Sequence, residues 1–186
     1  MLGDISSQGS IHRHSTSNLI VRWNAPPLGV VKINFDGSLS QNSTAGGFII
    51  RDWTGKVIKA GAAHYREPSI LVAEARTLRD EVKAVANARF KRVLIEGDHA
   101  TVNRTLRGEA SSPWQIAAII QDVNKYLRTM IYVSISHVYR EANMATDWLS
   151  KKGQTVLNVA VSWATTPPWE LMATDKIGRT LVRRDV

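Results

Sequence analysis

Asp36 in INFDGS, Glu74 in VAEARTL, Asp98 in LIEGDHA and Asp147 in NMATDWLS are four acids, three of which follow or interrupt strongly apolar stretches. A carboxylate near buried surface is costly unless it is paired or holds a cation. Carboxylate oxygens are hard ligands, so four that converge make a site for divalent metal ions. Two Mg²⁺ ions roughly 3.5–4 Å apart are the usual apparatus for phosphodiester hydrolysis, and Mn²⁺ can stand in for them.

Taken singly, each acid also has a plainer reading. Asp36 precedes Gly37-Ser38 and could be a turn aspartate. Glu74 shares a helical stripe with Leu71, Ala75, Leu78, Val82 and Val85, which points it inward; a first-turn glutamate favoured by the helix dipole is the alternative. Asp98 follows the run RVLIE and could be a helix N-cap, although the carboxyl end of a strand is also where open α/β sheets place their sites. Asp147 lies one turn from Asn143, so the two could form a solvated polar face. His137 ends an alternating run ten positions before Asp147. Beside a metal site such a histidine could carry protons or loosen the product; elsewhere it is a surface residue. The joint pattern carries the reading.

The elements that must position these groups follow from periodicity. Val30–Phe35, Gly47–Arg51 and Val57–His64 are strand-like runs joined by short loops, which predicts an antiparallel meander. The period then changes to that of a helix over about 70–89. Arg92–Glu96 reads as a buried strand, followed by a helix opening near Asp98. Pro113 starts another helix with Ile116, Ile119, Ile120, Val123 and Leu127 on its stripe. Ile131–Val138 alternates as a last strand, and Glu141–Lys151 closes as a helix. The order β-β-β-α-β-α-α-β-α predicts an α/β fold, a mixed sheet with helices on its faces. Residues 1–22 read as a disordered leader, 23–153 as the domain, and 154–186 as a tail that could pack as a short helix, which the sequence does not decide.

The chain of 186 residues has no cysteine, which excludes disulfides, thiolate zinc sites and cysteine nucleophiles. An intracellular protein, nuclear or cytoplasmic, is expected. No run of about 20 apolar residues offers a membrane span, and residues 1–22 lack the apolar core of a secretory signal. Of the net charge of +8, residues 25–153 carry +6, or +10 without the four acids. A basic surface around an acidic cleft suits a polyanion such as nucleic acid.

Five ordered motifs between Trp23 and Gly153 carry a resemblance. The lead-in Trp23, Pro26, Pro27, Gly29, Lys32, Asn34, Asp36 and Gly37, then TAGGFIIRDWTG, VAEARTL, VLIEGDHATV and HVYREANMATDWLSKKG, resemble the ribonuclease H family, specifically plant domains related to non-LTR retroelement reverse transcriptases. The resemblance implies an RNase H-like fold with a five-stranded mixed sheet in order 3-2-1-4-5. It implies that Asp36, Glu74, Asp98 and Asp147 hold two Mg²⁺ ions, with His137 as the loop histidine. Gly37, Ser38 and Asn143 become contacts to the scissile phosphate. The implied reaction is hydrolysis of the RNA strand of an RNA–DNA hybrid by a monomer, selective through 2′-hydroxyls and groove shape. Thr146 and Ser150 depart from two alanines, His99 departs from a serine, and GEASSP leaves no room for a basic protrusion. The alternative is a catalytically weak or inactive nucleic-acid-binding protein of the same fold; a transposase or exonuclease relative fits the HVYREAN–Asp147 arrangement less well.

Overall fold

The computed structural model describes residues 19–41, 43–66, 68–155, 161–163 and 179–181. Three antiparallel strands come first in the main sheet: β2 (Val31–Ser40), β3 (Ser43–Arg51) and β4 (Val57–Tyr65), after the short β1 (Leu19–Val21). Helix α1 (Ile70–Asn87) starts at Ser69, whose side chain accepts the Val72 N–H, and leads into β5 (Arg92–Gly97). Helices α2 (Ala100–Leu106) and α3 (Ala117–Leu127) precede β6 (Tyr132–His137), and α4 (Met144–Gly153) follows a 3₁₀ turn at Arg140–Ala142. The pairing order β4-β3-β2-β5-β6 is the expected five-stranded mixed sheet, 3-2-1-4-5, with β5 and β6 parallel to β2.

Alternation along β2 divides the molecule. Val31, Ile33 and Phe35 face a core completed by Phe48, Ile50, Val93 and Ile95 on the sheet and Leu78, Val82, Val123 and Leu127 on α1 and α3. Each such side chain, fully buried, contributes about 1.5–3 kcal/mol. Lys32, Asn34 and Asp36 face the other way. There α4 covers β3 and β4 through Ala145 and Leu149 against Ile49 and Ala60.

Three local expectations are corrected. The first strand does not stop at Phe35: it runs to Ser40 and pairs with β3 down to Ser40↔Ser43, so Asp36 sits mid-strand opposite Gly47 and is no turn residue. The Ser and Thr residues at the hairpin's end suit extended backbone, and the reversal waits for Gln41, which takes a left-handed φ of 45°. Helix α2 is capped by His99 without a side-chain bond, so the carboxylate of Asp98 is not its N-cap. In the tail, for which a short helix was one possibility, the described residues beyond Thr155 form two short strands. Val161–Trp163 (β7) pairs with the open edge of β4, and Arg179–Leu181 (β8) pairs with β1. Both carry β-branched residues, and an unpaired strand edge supplies the hydrogen-bond partners. Residues 1–18 of the leader lie outside the described residues, while Leu19–Val21 forms β1.

Candidate metal centre

The sheet, α1 and α4 meet around a cleft of about 570 Å³ lined by Asp36, Glu74, Asp98 and Asp147. Each acid arrives from a different element. Asp36 projects from central β2 and Asp98 from the carboxyl end of β5, and Asp147 comes from the first turn of α4. Glu74 reaches the cleft from α1 because Gly37 has no side chain. A Cβ at Gly37 would lie 2.7 Å from the Glu74 Cγ, too close for both to stay.

Carboxylate oxygens of Asp36, Glu74 and Asp98 all lie within 4.8 Å of one another. Burial, then the charges of Asp98 and Asp147, push the Asp36 carboxyl up to about 7, against the pull of the Gly37 N–H and Arg140. Burial, then Asp36 and Asp98, hold Glu74 well above its ordinary value. The buried Oε2 of Glu74 has no hydrogen-bond partner. Three crowded oxygen donors, two of them on buried residues and one unpartnered, fit a hard divalent cation and no soft one.

Asp147 stands differently. Its Oδ1 accepts from Arg140 at 2.8 Å and its Oδ2 from Lys151 at 2.5 Å. Burial favours its protonated form, but those two bonds outweigh it and hold the carboxyl below its ordinary value. Arg140, Lys151 and Gln154 also line the cleft. Gln154 donates to the Ser38 carbonyl at 2.9 Å and to its Oγ at 3.1 Å, fixing the hairpin wall to the end of α4. The sequence reading missed these three residues; the one available signal was the spacing of Lys151 four positions after Asp147.

Gly37 and Ser38 line the cleft, and the two remaining expected site residues do not. Asn143 is buried and donates to the Phe35 carbonyl at 2.9 Å, tying the start of α4 to β2. His137 is exposed at the end of β6, beside Gly97 in register and edge-on to Tyr139 at 5.5 Å between ring centroids. It lines a neighbouring hollow with Trp23, Lys32 and Glu96. There Lys32 bonds Glu96 at 2.6 Å, Asn34 bonds the other Glu96 oxygen at 3.1 Å, and the Trp23 indole donates to Asn34 at 2.8 Å. That network accounts structurally for the Trp, Lys and Asn of the lead-in motif.

Residues 34–153 match the family described as reverse transcriptase-like. The chain belongs to that family. A search of curated proteins found no match. Among solved structures, this reverse transcriptase-like chain is similar to RNase H1 from the archaeon Halobacterium salinarum NRC-1 (22% identity over 68% of this chain and 98% of that one, TM-score 0.63). It is also similar to the N-terminal RNase H domain of a Mycobacterium tuberculosis protein (15% identity, 68% and 94% covered, TM-score 0.64). LC11-RNase H1, solved in complex with RNA/DNA hybrid, gives 20% identity, 66% and 94% covered, and TM-score 0.55. At these identities the likeness shows the RNase H-like fold.

The departures of this reverse transcriptase-like domain concentrate on α4. Ser150 is fully buried, and its hydroxyl lies 2.9 Å from the Asp147 carbonyl and 3.3 Å from the Asp36 carboxylate, both acceptors for its single proton. The Thr146 hydroxyl donates to the Asn143 carbonyl at 2.8 Å. Neither hydroxyl competes for space in the cleft. Burial lowers the pKa of His99, and its Nδ1 is buried without a partner.

Proposed function

We propose that this protein is an endoribonuclease that hydrolyses the RNA strand of RNA–DNA hybrids with two Mg²⁺ ions, Mn²⁺ substituting. The observation that carries the reading is the set of carboxylates from four separate elements on one cleft, three of them within 4.8 Å, on an RNase H-like fold. Asp36, Glu74 and Asp98 would hold one ion, and Asp36 with Asp147 the second. Bound there, the ions supply an activated water and charge neutralisation at the departing 3′-oxygen. The chain's residues do the rest. Buried Glu74 and partly buried Asp98 crowd their oxygens against Asp36, Gly37 and Ser38 form the wall along which the phosphodiester lies, and Arg140 and Lys151 add positive charge to that wall. His137, outside the cleft, serves as an outer proton carrier at most, and its loss should cost far less than loss of an acid. The basic remainder of the domain attracts the polyanion without reading its sequence.

Incubating the protein with hybrid, double-stranded RNA and double-stranded DNA, each with and without Mg²⁺, tests this. Cleavage confined to the RNA of the hybrid and dependent on metal is expected. Salt-dependent binding with no cleavage in any metal would replace the enzyme by a nucleic-acid-binding protein of the same fold, and cutting of duplex DNA would move it to transposase-like chemistry.

A further inference from the structure

Asp147 is set apart from the other three acids by its partners. Arg140 and Lys151 occupy one oxygen each, and the three remaining carboxylates form the cluster without it. Both cations are anchored only at their tips: their side chains are 66% and 60% exposed, against 8% for Asp147. Neither makes another ion pair among the described residues. Arg140 comes from the 3₁₀ turn and Lys151 from one helical turn past Asp147, so they close on the carboxylate from two sides. The cleft they line carries two positive charges directed at a buried acid, on the wall where a phosphodiester would lie.

We propose that Arg140 and Lys151 are positioning residues that clamp Asp147 in the free protein and transfer to backbone phosphates when nucleic acid enters, releasing Asp147 to a metal ion. The inference rests on the metal-dependent nuclease reading and adds an order of events to it. Arg140 and Lys151 are themselves largely exposed, so moving their tips from carboxylate to phosphate needs no refolding, and the arriving metal ion takes over compensation of the buried Asp147 charge. The exchange puts a guanidinium, which can meet phosphate oxygens in a two-pronged manner, and an ammonium on the substrate. It also keeps net charge in the cleft level as the metal arrives. The clamp therefore couples occupancy of the second ion position to the presence of a polyanion, and the clamped protein without nucleic acid would hold one ion.

Calorimetric titration of the full-length protein with Mn²⁺, without nucleic acid, tests the clamp in wild type and in Arg140→Gln/Lys151→Gln. One ion per chain is expected for wild type, and two for the double variant, or a second ion at least about tenfold tighter. In parallel, the salt dependence of metal-free binding to RNA–DNA hybrid should flatten in the double variant by about one to two units of log K per log salt, since each lost phosphate contact removes about 0.9. Should the double variant lose its far-ultraviolet circular dichroism, Lys151→Gln alone carries the same comparison with about half the change in slope. Equal Mn²⁺ stoichiometry and affinity in the two proteins, with equal salt slopes, would overturn the clamp and leave the nuclease reading standing. Absence of Mn²⁺ binding to both would overturn that reading, and the clamp with it.

Discussion

Asp36 illustrates how much of the site's behaviour is set by single residues. It faces α4 from the central strand, Ser150 lies beside it, and three other acids share its cleft. Its carboxyl is driven up to about 7, chiefly by burial and then by Asp98 and Asp147. An isosteric loss of charge nearby should therefore relieve the protein while removing a metal donor. For Asp98→Asn we expect hybrid cleavage to fall about a hundredfold or more, equivalent to about 2.7 kcal/mol of barrier, with Tm unchanged or higher in the absence of metal. Turnover near that of wild type, with an unchanged melt, would remove Asp98 from the machinery. The acids themselves were legible as carboxylates that follow or interrupt apolar stretches, although Asp36 lies mid-strand and not at a strand end. Arg140 and Gln154 were not, because a cation or amide near a cleft has no periodicity to betray it. His137 was singled out by its place at a strand end ten positions before Asp147 and Asn143 by its one-turn spacing from Asp147, and the geometry puts both outside the cleft, Asn143 as a strut between α4 and β2.

At the scale of elements, the cleft depends on how closely helices approach the sheet. Helix α4 rides directly on β3: a Cβ on Gly47 would lie 2.4 Å from the Ser150 nitrogen and 2.5 Å from the Thr146 carbonyl oxygen, both backbone atoms. Gly47→Ala must push α4 outward, carrying Asp147, and should cost roughly 1–3 kcal/mol of stability as well as activity. A melt within experimental error of wild type would mean the helix is held elsewhere. Helix α1 carries a second buried acid, Glu81, whose carboxyl burial raises from 4.5 to about 7, against the nearby Lys59 at 3.5 Å. Because the folded value exceeds the unfolded one, Glu81 costs nothing below about pH 4.5. Its ionisation then subtracts stability as pH rises to about 7, at up to about 1.4 kcal/mol per unit. Asp36 and Glu74 share that sign. Glu81→Gln should thus raise Tm at pH 8, worth about 1–3 kcal/mol, and change it little at pH 4. An equal shift at both pH values would contradict the burial of a charge there. Element types and order were readable because α1 and α3 each bury one apolar face and the apolar residues of β2 alternate with polar ones, giving clean periods. The hairpin end at Gly37–Ser40 was not, since its one apolar side chain, Leu39, is exposed among glycine and serines and the segment owes its extension to pairing with β3. Strands β7 and β8 were invisible for a similar reason: three residues carry no period, and the edges they join supply the partners.

The whole molecule sets an acidic cleft in a basic surface, with +6 over residues 25–153 even with the four acids counted. Without a basic protrusion between α2 and α3, attraction of a polyanion rests on that distributed charge and on Arg140 and Lys151, so binding should weaken steeply with salt. No helix among the described residues is long and apolar enough to cross a membrane. The sheet, its two helical faces and the reverse transcriptase-like match over residues 34–153 belong to one unit, and the chemistry proposed for it is attack by water on an RNA phosphodiester with the 3′-oxygen leaving. That direction of cleavage has a signature in the products. End analysis of the RNA released from an RNA–DNA hybrid, in Mg²⁺ and in chelator, is the most direct measurement. The account predicts fragments bearing 5′-phosphate and 3′-hydroxyl ends in Mg²⁺ and intact RNA in chelator; 2′,3′-cyclic phosphate ends, or cutting that persists without metal, would contradict it.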